Sequence, residues 1–127
     1  EGNGEYISVF DCRMKSFDNE FGVISAEFHG GIIRILANTP PYEQEVRVAI
    51  KASDVTISLD KPQNISTTNI FKGRIRNLEE ISGHSVLVHC DIGASLTAQI
   101  SKASAVRLRL KPRGKIYLLV KVVSMIC

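Results

Sequence analysis

The chain has 127 residues and a formal net charge of +3, and 44% of its residues are hydrophobic while 23% are charged. These proportions are typical of a folded globular protein and exclude an intrinsically disordered chain. No apolar run approaches the roughly 20 residues that cross a bilayer, which argues against a membrane-spanning helix.

Strand-forming residues dominate the first half, where Val, Ile and Phe supply the β-propensity. The predicted strands cover residues 6–14, 21–28, 31–39 and 45–59. In the last of these segments Val46, Val48 and Ile50 alternate with less apolar residues, which indicates a half-buried strand. We expect this segment to divide into two strands at Lys51.

The second half repeats this strand-rich pattern and adds a helix. Strands are predicted over residues 70–81, 85–92, 94–100 and 115–126. Gly73 is the expected position of a bulge or bend. Between the last two strands, Ser101 can cap a short helix that ends before Pro112.

An internal repeat predicts the fold class. Val120-Lys121 and its flanking strand echo Ile50-Lys51, and the polar stretch 60–69 between the two copies contains a proline and lacks periodicity. We therefore predict an all-β chain of tandem OB-like Greek-key β-barrels, with one short helix in the second barrel. The predicted domains are residues 1–63, an accessory barrel, and residues 64–127.

Charge is divided unequally between these halves. Up to Gln63 there are ten acidic and six basic residues, whereas from Asn64 onward three acidic residues face ten basic ones. An anionic ligand would therefore belong with the second half. A solvated basic face explains the same imbalance, and charge alone leaves both interpretations open.

Cysteine and histidine usage predicts neither a disulfide framework nor a metal-cation site. These residues are scattered and form no CxxC pair: Cys12, Cys90, Cys127, His29, His84 and His89. An odd number of separated cysteines indicates a reducing compartment.

One group of donors near the end of the chain is suited to an oxyanion. Ser101, Ser104 and Arg107 follow each other at steps of three, so a helix would place them on one face. Lys121 on the following strand would add a compact cation. A tetrahedral dianion only accepts hydrogen bonds, so hydroxyl and cationic donors are the groups that it needs. Each residue also has a purely structural explanation, such as a helix cap or a solvated side chain.

The order of STTNIFKG, a strand hairpin, ISKASAVRLRL and YLLVKVVSMI resembles the Mop (molybdopterin-binding-protein-like) or TOBE module, which binds molybdate or tungstate. The first half resembles the segment that precedes this module in the ATP-binding subunit of bacterial molybdate ABC transporters. By position, the resemblance implies these oxyanion ligands: Ser66, Thr68, Asn69, Ser101, Ser104, Arg107 and Lys121. The family motif has Arg where this chain has Thr68, so one charge is missing.

The resemblance also implies the setting of the chain. Family sites form where subunits meet, so it implies a homodimer with an oxyanion bound across it. The parent would be a transporter ATPase on the cytoplasmic face of the inner membrane, with membrane permease subunits as partners. The chain begins EGNGEY without an initiator Met, so we expect it to be a piece of a longer protein. The fragment itself would be regulatory and would bind no nucleotide.

The sequence can also be compared with the requirements of three other functions. An enzyme is not favoured, because the sequence has neither a Walker A nor a GxSxG motif, and the adjacent Glu79 and Glu80 would point to opposite faces of a strand. A nucleic-acid-binding barrel needs aromatic platforms, and from Asn64 onward the aromatics are Phe71 and Tyr117. A subunit-docking barrel without a ligand is the stronger alternative, and Thr68 is its main support.

Overall fold

Ten strands and one short α-helix make up the described part of the chain, residues 5–121 and 124–126, in a computed structural model. The first half contributes β1 (Ile7–Asp18), β2 (Val23–Phe28), β3 (Gly31–Leu36), β4 (Glu45–Lys51), a 3₁₀ turn (Ala52–Asp54) and β5 (Val55–Ser58). The second half contributes β6 (Asn69–Glu80), β7 (Ser85–Asp91), β8 (Ser95–Ser101), α1 (Lys102–Arg107), β9 (Lys115–Val120) and β10 (Ser124–Ile126). The predicted all-β fold with one short helix is confirmed.

Local sequence explains why these elements form. In β4, Val46, Val48 and Ile50 are buried and alternate with more exposed residues, as predicted. At the start of α1 the hydroxyl of Ser101 accepts a hydrogen bond from the backbone N–H of Ser104 at 3.1 Å. Ser101 is therefore the N-cap, as predicted.

The strands form two five-stranded sheets with the same internal order. The first sheet runs β10-β4-β1-β2-β3 and the second runs β5-β9-β6-β7-β8. In both sheets the long first strand of the repeat has one extra, unpaired residue opposite its hairpin partner, so the pairing register shifts by one. The shift lies between Met14 and Ser16 in β1 and between Ile75 and Asn77 in β6. These matching bulges make the internal repeat visible in the backbone.

Each repeat gives its last strand to the other sheet. β5 follows β4 along the chain but pairs with β9, and β10 follows β9 but pairs with β4. The single strand predicted over residues 115–126 is therefore wrong, since β9 and β10 belong to different sheets. The domain boundary between residues 63 and 64 stays a prediction, and the two sheets exchange one strand across it.

Gly73 does not mark the bulge of β6. It pairs in register with Ile116, and the displacement lies nearer the middle of the strand, at Arg76. A Cβ at residue 73 would lie 2.6 Å from the backbone oxygen of Asp91, which is too close for any side chain. This glycine is needed for the close approach of two backbone segments.

The two sheets share one hydrophobic core. The core cluster includes residues from both repeats, among them Ile33 and Val48 from the first and Leu118 from the second. Phe28 contacts Phe10 of its own sheet, with ring centroids 4.9 Å apart, and Phe71 of the other sheet at 5.6 Å. The halves therefore stabilise each other by burying a common apolar surface.

Cys12 and Cys90 are buried, free thiols, and we expect neither to react in the folded protein. Burial, with a smaller contribution from the Asp11 charge, raises the pKa of Cys12 to about 11, and burial raises the pKa of Cys90 to about 12. Near pH 8 almost no thiolate is present, and the thiolate is the nucleophile. Titration with Ellman's reagent in a Cys127→Ser background should detect both thiols only after denaturant is added. Rapid modification of the native protein would contradict this expectation.

Candidate functional site

The structure divides the predicted site residues into two groups. The first, here called the cavity group, consists of Ser66, Thr68, Asn69 and Lys121, and these residues line a single cavity of about 300 Å³. The second, here called the helix group, consists of Ser101, Ser104 and Arg107 at the start and end of α1. None of the helix group lines the cavity.

Strand pairing brings the cavity group together. Asn69 at the start of β6 pairs with Val120 at the end of β9. Thr68, just before β6, and Lys121, just after β9, therefore lie at the same end of these two neighbouring strands. The rest of the cavity wall comes from β2 and β3 of the other sheet: Val23, Arg34, Ile35 and Leu36. The cavity therefore lies between the two repeats, with a lysine and two hydroxyl side chains on the TOBE-like side.

Asn69 holds the two sheets together at this cavity. Its side chain is only 4% exposed, and its Oδ1 accepts a hydrogen bond from the backbone N–H of Arg34 at 2.8 Å. Its Nδ2 donates to the backbone oxygen of Arg34 at 2.9 Å. The side-chain amide thus pairs with the edge of β3 much as another strand would. This structural role occupies half of the hydrogen-bonding capacity of the Asn69 side chain, one of its two N–H donors and one of its two acceptor sites.

The helix group forms a small hydrogen-bonded cluster at the surface. Besides capping α1, the Ser101 hydroxyl donates to Ser104 Oγ at 3.0 Å. Arg107 Nη2 also donates to Ser104 Oγ, at 3.5 Å. The spacing of three residues therefore places the three side chains on one face of the helix, as predicted.

The structure does not bring Lys121 to the helix group within one chain. β6 and β7 lie between β9 and β8 in the sheet, and β8 runs antiparallel to β9. β9 and β8 consequently point in opposite directions, and Lys121 and Ser101, at their C-terminal ends, lie at opposite ends of the sheet along the strand direction. The expectation that all four donors surround one helix and the following strand is therefore wrong for a single subunit.

The first repeat carries a counterpart of the cavity group with different chemistry. Lys51 ends β4 as Lys121 follows β9, and its register partner in β1 is Ile7. The Lys51 ammonium lies 3.4 Å from the carboxylate of Glu5. At the position equivalent to Ser66, this repeat thus has an acid that compensates the lysine.

The adjacent carboxylates Glu79 and Glu80 have separate partners. Glu79 Oε1 lies 2.9 Å from His89 Nε2, and Lys102 Nζ donates to Glu80 Oε2 at 2.9 Å.

Within residues 5–121 and 124–126 no three His, Cys, Asp or Glu side chains cluster as metal ligands would. In the same part of the chain no helix has the length and hydropathy of a membrane span.

Residues 65–127 match the model of the TOBE domain family. These residues are a TOBE domain. All seven predicted ligand residues lie inside this TOBE domain, whereas Arg34, which lines the same cavity, lies outside it. Arg34 has no sequence signal of its own, because nothing in the local pattern of β3 indicates which part of the other repeat faces it.

Curated relatives extend the similarity over nearly the whole chain. The molybdenum import ATP-binding protein ModC of Mesorhizobium japonicum is 34% identical over 125 residues, which cover 98% of this chain and 34% of the relative. ModC 2 of Azotobacter vinelandii is 33% identical over 95% of this chain and 34% of its own length. The chain thus spans about a third of the length of these relatives.

One solved structure with the same fold covers both the TOBE domain and the preceding repeat. The cytoplasmic molybdate-binding protein ModG, with molybdate bound, superposes with a TM-score of 0.79 over 93% of this chain and 94% of its own chain. Its sequence identity is 19%, so the match shows a shared fold. It agrees with the predicted pair of OB-like units.

Proposed function

We propose that this chain is a regulatory domain that binds molybdate or tungstate. The observation that carries the proposal is the cavity of about 300 Å³ that Ser66, Thr68 and Lys121 line together. These groups donate hydrogen bonds and supply positive charge, which a tetrahedral dianion needs when it loses its hydration. The names of the relatives and the ligand of ModG support the same class of anion.

The complete site would form between two copies of the chain. Each subunit has two incomplete sets of donors, the cavity group and the helix group, and a second copy would bring one against the other. An exposed apolar side chain accompanies each set: Leu36, 81% exposed, lines the cavity, and Val106, 67% exposed, lies on α1. Burial of these side chains would contribute to association. The proposed assembly is a homodimer with two equivalent sites.

Titration calorimetry on the wild-type protein with molybdate, tungstate and sulfate tests the binding function. Heat with molybdate and tungstate is the expected result, and sulfate shows how far the cavity selects for a larger oxyanion. No heat with any of the three would leave only a docking role for this domain.

Complementation between variants tests whether the site is shared. Lys121→Ala damages the cavity group and Ser104→Ala damages the helix group, so each variant alone should lose most of its molybdate binding. A refolded equimolar mixture should recover about a quarter of the sites, because random pairing gives heterodimers in half of the assemblies and each heterodimer has one intact site. No recovery, or a strict monomer in sedimentation that still binds molybdate, would contradict the shared site.

For the parent protein we propose the ATP-binding subunit of a molybdate importer, on the cytoplasmic face of the membrane with permease subunits as partners. Oxyanion bound across the dimer would favour one arrangement of the two subunits and so restrain transport when the cell is replete. In proteoliposomes of the full transporter, molybdate on the side of the ATP-binding subunits should lower ATP hydrolysis. The Lys121→Ala transporter should keep its activity at the same molybdate concentration.

Subunit docking without a ligand is the second candidate. The hydroxyl of Thr68, where the family motif has a cation, favours it. Binding of single-stranded nucleic acid has less support, because Phe71, one of the two aromatics of the described TOBE residues, is a core side chain.

A further inference from the structure

We propose that Arg34, from the first repeat, supplies the cation that the TOBE motif lacks at Thr68. This inference rests on the proposed oxyanion site and adds a ligand residue to it. Thr68 and Arg34 line the same cavity although 34 residues of chain separate them. The charge missing from the motif is thus replaced by a residue of the other repeat.

The backbone of Arg34 is held next to the motif. Both of its backbone polar groups bond to Asn69, which directly follows Thr68, at 2.8 and 2.9 Å. The neighbouring side chains of Ile33 and Ile35 are buried in the core, so the side chain of Arg34 lies on the other face of β3. Leu36 lies on that same face of β3, and Arg34, Ile35 and Leu36 all line the cavity.

The charge of Arg34 is uncompensated within the described residues. Other arginines of the first repeat have acidic partners there: Arg13 lies 3.5 Å from Glu45, and Arg47 lies 3.0 Å from Asp11. No acidic side chain of the described residues forms an ion pair with Arg34, and none lines its cavity. With Lys121 the cavity therefore has two cations, which match the charge of a dianion such as molybdate.

A guanidinium group also suits the geometry of the ligand. Its planar set of N–H donors can bind two oxygens of one oxyanion at once, whereas an ammonium group acts as a point charge. Molybdate held by Arg34 and Lys121 would bridge the two repeats at the place where Asn69 already joins them. Ligand binding would then be sensitive to the first repeat as well as to the TOBE domain.

Calorimetry on Arg34→Gln, with Arg47→Gln as the matched control, tests this assignment. Arg34→Gln should weaken molybdate binding about tenfold, since it removes a charged donor from a partly exposed site. Arg47→Gln removes the same charge from an exposed arginine of the same repeat and should change the affinity less than about twofold. Both variants should keep a melting temperature close to that of the wild type, because residue 34 bonds to the Asn69 side chain through its own backbone atoms alone. Arg47→Gln breaks only an exposed ion pair with Asp11.

The double variant Arg34→Gln/Thr68→Arg gives a gain-of-function readout. It returns the cation to the motif position and should regain affinity to within about threefold of the wild type. Wild-type affinity in Arg34→Gln, or no rescue by Thr68→Arg, would overturn the role of Arg34 while leaving the oxyanion site intact. Absence of molybdate binding to the wild-type protein would instead overturn the proposed function itself.

Discussion

Replacement of Lys121 by alanine is expected to weaken molybdate binding by about 10- to 100-fold, because a charged hydrogen bond to an anion contributes about 1.5–3 kcal/mol. Lys121 lies at the edge of the cavity, beside the start of β6 where Ser66 and Thr68 precede Asn69. Its ammonium group is the only cation that the second repeat contributes to the described cavity wall. Titration calorimetry at low ionic strength measures the change directly.

Lys51→Ala is the matched control for this experiment. Lys51 occupies the equivalent position in the first repeat, with the same strand register, but its charge is compensated by Glu5 at 3.4 Å. The Lys51→Ala variant should therefore bind molybdate with wild-type affinity and stoichiometry. Loss of this exposed ion pair should change the free energy of unfolding by less than about 1 kcal/mol. Equal losses of affinity in both variants would contradict a site at Lys121 and would indicate general electrostatic attraction instead.

Asn69→Ala is expected to lower the free energy of unfolding by about 2–3 kcal/mol, since it removes two hydrogen bonds and leaves a backbone N–H and C=O of Arg34 without their partner. Urea denaturation followed by circular dichroism measures this change. The variant should also bind molybdate more weakly, because Arg34 and Thr68 are no longer held together.

The first repeat again offers a matched control. Ser8 is the counterpart of Asn69, and its hydroxyl accepts a single hydrogen bond from the N–H of Thr97 on β8 at 3.2 Å. Ser8→Ala should therefore cost about 0.5–1 kcal/mol and leave molybdate binding unchanged. If Asn69→Ala were no more destabilising than Ser8→Ala, the pairing of Asn69 with β3 would not be a significant link between the sheets.

The features that the sequence predicted well are local ones. The alternation of Val46, Val48 and Ile50 specifies a strand, and Ser101 before an alanine-rich stretch specifies a capped helix start. Each signal depends on the preferences of a few neighbouring residues, so it can be detected without knowledge of the rest of the chain. The repeated Lys51 and Lys121 motifs likewise predicted two copies of one unit.

The failures concern contacts between distant parts of the chain. Residues 115–126 look like one apolar strand, yet their backbone leaves one sheet after Val120 and pairs with β4 in the other. Apolar side chains can be buried equally well when their strand pairs with either sheet, so the local sequence pattern does not show where one strand ends and the next begins. Gly73 was predicted to mark a bulge or bend, because a glycine needed for close backbone approach looks identical in sequence.

Local sequence is thus enough to predict the all-β class, the repeat and the capped helix, while the seven candidate ligands were implied by the family resemblance. Their division into two separate groups, and the position of Arg34 in one cavity with Thr68 and Lys121, depend on the three-dimensional fold. The physical reason is that sheet order and strand exchange place residues far apart in the chain side by side. Such long-range pairing depends on how the whole core packs, and it leaves no signal in the few residues around each side chain.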